Sequence, residues 1–177
     1  IEHRAPRLSR VDKVVVHDQL LTGMSDFSII KSRKDGASQL VIPVDAAICD
    51  DCRSEMNDKN NFRYRYPFIT CTQCGPRYTI IDALPYDRPL TTMSDFKLCP
   101  TCQLEYEDPL NRRHHAQPIA CPNCGPQLSI VTGEGTVVAE CDEALKLAGQ
   151  FLQDGKVLAV KGIGGFYYVK TEEGVIE

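Results

Sequence analysis

Apolar residues are unevenly spread along this chain, and their spacing predicts secondary structure mainly at its two ends. Near the start, residues 11–16 (Val-Asp-Lys-Val-Val-Val) and 26–31 (Asp-Phe-Ser-Ile-Ile-Lys) read as strands separated by a glycine-containing turn. Near the end, Ala144, Leu145, Leu147, Ala148, Phe151 and Leu152 recur at helical spacing, which predicts a helix from Asp142 to Asp154. Gly155 is a suitable stop, and Lys156 to Val160 reads as a strand running into Lys161-Gly162-Ile163-Gly164-Gly165-Phe166.

The middle of the chain has little apolar periodicity, and cysteines take its place. Of nine cysteines, eight form four Cys-x2-Cys pairs: Cys49/Cys52, Cys71/Cys74, Cys99/Cys102 and Cys121/Cys124. Only Cys141 stands alone, and it reads as an ordinary small apolar side chain. The eight make two copies of Cys-x2-Cys-x18-Cys-x2-Cys, offset by 50 residues. At the same offset Glu55 matches Glu105, Asp58 matches Asp108, Asn61 matches Asn111 and Arg63 matches Arg113. Gly75-Pro76 likewise matches Gly125-Pro126, and Ile80 matches Ile130. The region is therefore a duplicated unit.

Each copy predicts the same sequence of elements. The first cysteine turn leads into a short helical segment, Arg53 to Asn57 or Gln103 to Glu107, and Asp108-Pro109 ends the second of these. An irregular basic stretch follows. After the second cysteine turn, Gly75 or Gly125 offers a position where positive φ costs little, and a short strand departs at Tyr78 to Ile81 or Leu128 to Val131.

Two residues between cysteines let one turn aim two sulfurs at a single ion, and the x18 interval falls in the ~15–20 residue range of paired zinc ligands. Zinc takes four such ligands in a tetrahedron when its role is structural. The expected sets are Cys49, Cys52, Cys71 and Cys74, then Cys99, Cys102, Cys121 and Cys124, giving two structural Zn²⁺ ions. A crossed pairing of outer and inner turns, redox dithiols and iron–sulfur ligation are the alternatives. A duplicated unit that folded before duplicating favours the local pairing. His114 and His115 lie between cysteine turns, but Tyr64 and Arg65 stand in the first copy, so packing or solvation is their expected role.

The formal charge is −4, and two Zn(Cys)₄ sites would add about −4 more, since each carries net −2. Nucleic-acid-binding domains are usually basic, so nucleic acid is not the expected partner. Phe62-Arg63-Tyr64-Arg65-Tyr66-Pro67-Phe68 and Arg112-Arg113-His114-His115 nevertheless allow two readings. One is a phosphate- and base-binding surface. The other, preferred on charge, is a half-buried strand whose arginines pair with Glu55 and Glu105. No membrane-spanning run and no signal peptide is visible, and unpaired cysteines in quantity suit a reducing cytoplasm. The first residue is Ile1 rather than methionine, which suggests a piece of a longer protein. The fold class expected is a small zinc-stabilised α+β arrangement of tandem four-cysteine zinc fingers, flanked by partial α/β pieces.

These cysteine spacings, with Arg-Tyr-Pro-Phe before Cys71, Cys-Gly-Pro-Arg-Tyr-Thr-Ile-Ile at Cys74, Leu-Pro-Tyr-Asp-Arg, Glu-Tyr-Glu-Asp-Pro, Gln-Pro-Ile-Ala-Cys-Pro-Asn-Cys-Gly-Pro and Val-Lys-Gly-Ile-Gly-Gly-Phe, resemble the HypF family of carbamoyltransferases in nickel–iron hydrogenase maturation. The resemblance covers about residues 40 to 168. It implies a tail of an acylphosphatase-like domain and linker at 1–45, tandem fingers over 46–131 (46–81 and 96–131), and the beginning of a YrdC-like domain at 132–177. It further implies a parent enzyme that uses carbamoyl phosphate and ATP to carbamoylate the C-terminal cysteine of HypE, the source of cyanide ligands of the hydrogenase iron. Under the resemblance, Lys161, Gly162, Gly164 and Gly165 become nucleotide-facing, although the motif matches neither common phosphate-binding pattern. Tyr167 replaces the histidine usual after Gly-Gly-Phe, and the tail from Thr171 departs from the family. No catalytic residue is expected within this chain, and by itself it is expected to be inactive. The alternative is a free-standing zinc module that binds nucleic acid or a protein.

Overall fold

The computed structural model describes residues 11–18, 20, 23, 26 and 43–171. By internal contacts the chain divides into two units, 1–41 and 42–177. In the first, residues 11–18 are exposed and form neither helix nor strand, so the strand expected at 11–16 is not there. Valine favours extended structure only when a neighbouring strand and a packing surface are supplied, and among the described residues no strand or bridge includes this segment. The strand expected at 26–31 falls, apart from Asp26, outside the described residues.

The second unit opens with two eight-residue helices, α1 (Asp50–Asn57) and α2 (Pro100–Glu107). Helices this short are marginal alone, and each is anchored at its start by a cysteine turn. Cys49 and Cys99 are the N-caps, and their carbonyls accept from Arg53 N–H and Gln103 N–H at 2.9 Å. Asp50 and Asp51 sit favourably in the first turn of α1, while Pro100 starts α2 at a position where no amide donor is needed. Both helices end in the same turn. Asp58 and Asp108 side chains accept from the amides of Asn60 and Leu110, and Asn61 and Asn111 side chains accept from those of Arg63 and Arg113, each at 2.9 Å. Arg65 and His115 then take positive φ, 58° and 52°. They return their amides to Met56 O and Tyr106 O. The stretch 62–68 is thus a run of turns rather than the expected strand, because these local bonds consume its backbone groups.

The copies diverge after their second cysteine turn. Residues Tyr78–Ile80 form a 3₁₀ turn, not a strand, since Asp45 Oδ1 takes the amides of Arg77 (2.6 Å) and Thr79 (3.3 Å) and thereby curls the chain. In the second copy the expected strand forms as β1 (Ser129–Val131), paired antiparallel with β2 (Val137–Glu140). A second 3₁₀ turn, Arg88–Leu90, lies in the segment between the copies.

Helix α3 (Cys141–Gln153) occupies the span its apolar spacing predicts. It ends in a Schellman motif: Gly155, at φ 74°, donates to Leu152 O, and Lys156 N–H donates to Phe151 O. Strands β3 (Leu158–Gly162) and β4 (Gly165–Val169) form an antiparallel hairpin in which Gly162 pairs with Gly165. The helix packs on β1, β2 and β3. Among the described residues no helix is long and apolar enough to cross a membrane.

Candidate metal centres and the arginine bridge between them

Buried residues of the second unit concentrate around the cysteines. One cluster joins Cys49, Cys52, Cys71 and Cys74 to Tyr66, Ile80 and Met93, and it includes Ala120 from the second copy. The other joins Cys102 and Cys121 to Ala116 and Ile119. So few aliphatic side chains cannot define a core of this size by themselves.

The sulfurs fall into two sets of four, Cys49/Cys52/Cys71/Cys74 and Cys99/Cys102/Cys121/Cys124, with ligand atoms inside each set within 4.8 Å of one another. This is the local grouping, not the crossed one. Neighbouring sulfurs stand 3.7 Å (Cys49–Cys71), 3.8 Å (Cys71–Cys74) and 3.5 Å (Cys52–Cys74) apart in the first set. In the second set, Cys99–Cys121 and Cys121–Cys124 are 3.6 Å apart. A tetrahedron with Zn–S bonds of about 2.3 Å requires sulfurs about 3.8 Å apart, so both sets fit one zinc ion each. All nine cysteines are unbridged. The spacing leaves room for one ion rather than a multi-iron cluster. Burial of six of the eight sulfur-bearing residues also disfavours an exposed redox thiol. The amide of Gln73 points at Cys71 Sγ (3.3 Å), as expected of a turn that supports a thiolate.

The two copies meet through arginines exchanged across a pseudo-two-fold relation. Arg63, fully buried, donates from Nε to Ala120 O at 2.8 Å, and Arg113, also buried, donates from Nε to Thr70 O at 3.0 Å. Thr70 and Ala120 are equivalent positions at the 50-residue offset. Arg63 pairs with Glu105 of the other copy, and Arg113 pairs with Glu55 of the other copy and reaches Glu105 at 3.5 Å. Burial alone would raise the Glu55 carboxyl, but hydrogen bonds and charge from Arg113 and Arg112 hold it below the usual carboxylate range. Burial alone would lower the Arg63 guanidinium, and Glu105 and the Cys102 sulfur hold it above its ordinary value instead. The pairing of arginines with Glu55 and Glu105 therefore exists, but its shorter contacts run between copies, and only the 3.5 Å contact of Arg113 with Glu105 lies within one. Two of the four arginines of the alternative phosphate-binding surface are withheld from solvent by it.

Sequence reasoning overlooked Arg88. Its Nη1 donates to Gln117 O (2.6 Å) and Ile119 O (2.9 Å), and its Nη2 donates to Phe96 O (2.6 Å), which straps the inter-copy segment onto the second copy. Only an arginine offers enough donors in one plane for three carbonyls, but nothing in the local sequence marks this one. His114 and His115 stay outside the sulfur sets; His115 packs on the Tyr106 ring and His114 stands edge-on to His115, as packing residues do.

The glycines after the second cysteine turns do different work. Gly75 has φ 93°, as expected, and a Cβ there would also lie 2.2 Å from Thr70 Oγ1, whereas Gly125 is not among the positive-φ residues and is needed for space alone. A Cβ there would lie 2.2 Å from Tyr66 Oη and 2.4 Å from Ala120 Cβ. Gly125→Ala is expected to destabilise by about 1–3 kcal/mol through overpacking. Gly133→Ala, with nothing within 4 Å of the added atom, should stay within about 0.5 kcal/mol. Equal urea midpoints for the two variants would show that the close approach is not rigid.

Lys161, Gly162, Gly164 and Gly165 lie at the tip of the β3–β4 hairpin and belong to neither sulfur set, although Ile163 between them lines a cavity with Ile48, Thr70 and Gly75. Lys161 Nζ stands 5.6 Å from the Phe166 ring centre. The Tyr167 ring lies beside Gly162, where a Cβ would come within 3.2 Å of Cε2.

Comparison with known proteins places this arrangement. The family model "HypF finger" matches residues 48–81 and 98–131. A probable carbamoyltransferase HypF of Methanocaldococcus jannaschii is 55% identical over 93% of this chain, which covers 22% of that protein. The carbamoyltransferase HypF of a Synechocystis species is 53% identical over 89% of the chain and 20% of that protein. A crystal structure of full-length HypF in a phosphate- and nucleotide-bound form superposes with a TM-score of 0.74 at 40% identity, over 92% of this chain and 21% of that one. The crystal structure of T. kodakarensis HypF gives a TM-score of 0.65 at 50% identity, over 72% of this chain and 17% of that one. This chain spans about a fifth of the length of the curated relatives it matches. With its duplicated four-cysteine fingers bridged by exchanged arginines, the chain belongs to the HypF family.

Proposed function

We propose that this chain is the zinc-bearing scaffold region of a HypF-type carbamoyltransferase. The observation that carries this reading is the pair of tetracysteine sets at tetrahedral spacing, locked to each other by buried Arg–Glu pairs. The first set would hold one structural zinc ion through Cys49, Cys52, Cys71 and Cys74. The second would hold another through Cys99, Cys102, Cys121 and Cys124. Bound there, zinc supplies folding energy; with four thiolates each, the sites keep no position for a substrate. Residues 46–131 are then the fingers, 1–45 the end of an acylphosphatase-like domain with its linker, and 132–177 the beginning of a YrdC-like domain.

The names of its relatives support a carbamoyltransferase activity for the whole protein. We assign it an ATP-dependent transfer from carbamoyl phosphate to the C-terminal cysteine of HypE, in the cytoplasm, in service of the cyanide ligands of a nickel–iron hydrogenase. The β3–β4 turn with Lys161, Gly162, Gly164 and Gly165 would face the nucleotide, and the nucleotide-bound form of the solved relative supports a nucleotide site in that protein. Catalytic groups are assigned to the rest of the enzyme. The free-standing nucleic-acid module gains no support here, because Arg63 and Arg113 are spent on Glu105 and Glu55.

Elemental analysis and carbamate-dependent ATP–pyrophosphate exchange test this together. The expected result is two zinc ions per chain and no exchange by the chain alone. Exchange should appear in a full-length enzyme containing it and be lost there with Cys121→Ser and Cys124→Ser. Exchange by this chain alone, or exchange unaffected in the double variant, would overturn the scaffold role.

A further inference from the structure

We propose that each metal site takes its outer cation from the opposite copy, Arg63 serving Cys102 and Arg112 serving Cys52, so that the two sites bind zinc cooperatively. The inference rests on the zinc reading above. Arg63 Nη2 lies 3.3 Å from Cys102 Sγ, and its Nη1 lies 3.1 Å from Glu105 Oε1. Arg112 Nη1 lies 3.2 Å from Cys52 Sγ and 3.9 Å from Cys49 Sγ, while its Nε donates to Glu55 Oε1 at 3.1 Å. These guanidinium contacts reach the sulfurs only from the other copy. A tetrathiolate zinc site has net charge −2, and a charged donor on a ligand sulfur stabilises the thiolate and the bond to the metal.

The arrangement is not a plain copy of the duplicated sequence. Arg63 is equivalent to Arg113, yet Arg112, whose counterpart is Phe62, makes the return contact to sulfur. Each donor also sits inside the loop that its own metal site closes: Arg63 lies between Cys52 and Cys71, and Arg112 between Cys102 and Cys121. When one site loses its metal, that loop loses its closure, and the opposite site loses its donor. Because linkage is reciprocal, each ion must then raise the affinity for the other by the same factor.

The test maps alkylation of each cysteine by N-ethylmaleimide in the zinc-loaded chain, using peptide mass spectrometry, alongside stepwise removal of zinc by a chelator. Arg112→Gln leaves Glu55 paired with Arg113. It should speed modification of Cys52 by roughly tenfold or more, in the range of outer-shell substitutions at metal sites, without speeding it at Cys99, Cys102, Cys121 or Cys124. Arg63→Lys, too short and compact to satisfy Ala120 O, Glu105 and Cys102 together, should do the reverse and expose Cys102. Zinc should leave the parent chain in one step and Arg112→Gln in two, the first site emptying first. Loss of zinc from the first site alone in that variant is the same crosswise result. Acceleration confined to the variant's own copy, uniform acceleration at all eight cysteines, or two-step release from the parent chain would overturn the coupling. A parent chain that holds no zinc would instead fail the zinc reading and carry this inference down with it.

Discussion

Removing the metal is expected to unfold the finger region as a whole. With excess chelator at neutral pH, residues 43–131 should lose near-ultraviolet circular dichroism and amide dispersion, and both should return when two equivalents of Zn²⁺ are added. Structural zinc contributes an apparent ~10–16 kcal/mol in small cysteine modules, as much as the whole stability of an ordinary domain, about 5–15 kcal/mol. Here little else could substitute. The buried set is largely the sulfurs themselves with Ile69, Ile80, Met93 and Ile119, and α1 and α2 are eight residues each. Without metal, four thiolates would be left buried at contact distance, where desolvation and mutual repulsion oppose ionisation. Native dispersion that survives complete zinc loss would mean that the Arg–Glu lattice, not the metal, holds the fold.

The second large effect should come from Arg63→Leu. The side chain is fully buried and joins the copies through Ala120 O, Glu105 and the Cys102 sulfur. Leucine would fill part of the volume but leave a largely buried carboxylate with only the 3.5 Å contact to Arg113, and a carbonyl without its donor. Breaking a buried pair from one side typically costs about 3–5 kcal/mol. Arg65→Leu is the comparison, two residues away in the same basic stretch. Its partner Asp142 is exposed and Arg65 itself is partly so, and surface pairs are worth about 0–1 kcal/mol. Urea midpoints with zinc held saturating should therefore drop steeply for the first variant and barely for the second. Similar drops would show that the stretch acts as one surface, as the phosphate-binding reading requires.

The pattern of cysteines favoured the local sulfur sets over the crossed ones, because ligand spacing and loop closure are short-range properties that a duplicated unit must satisfy within itself, and the tertiary structure brings each local set together. The apolar spacing from Ala144 to Leu152 and the stop at Gly155 were legible for the same reason: helix period and left-handed termination are local. The strand expected at Tyr78 to Ile81 was not realised because Asp45, more than thirty residues earlier, captures the amides it would have used. Valines 14 to 16 were read as a strand on propensity alone, and propensity does not supply a partner. Glu55, Glu105, Arg63 and Arg113 were recognisable as matched positions, yet a 50-residue repeat contains the same residues whether the pairs close within a copy or between copies. Only the mutual orientation of the two copies decides that, and it decides in favour of exchange. Arg63 pairs with Glu105 of the facing copy, and its equivalent Arg113 pairs with Glu55 of the facing copy while staying 3.5 Å from the Glu105 of its own. The tertiary structure thus turns a repeated sequence into one interdependent unit.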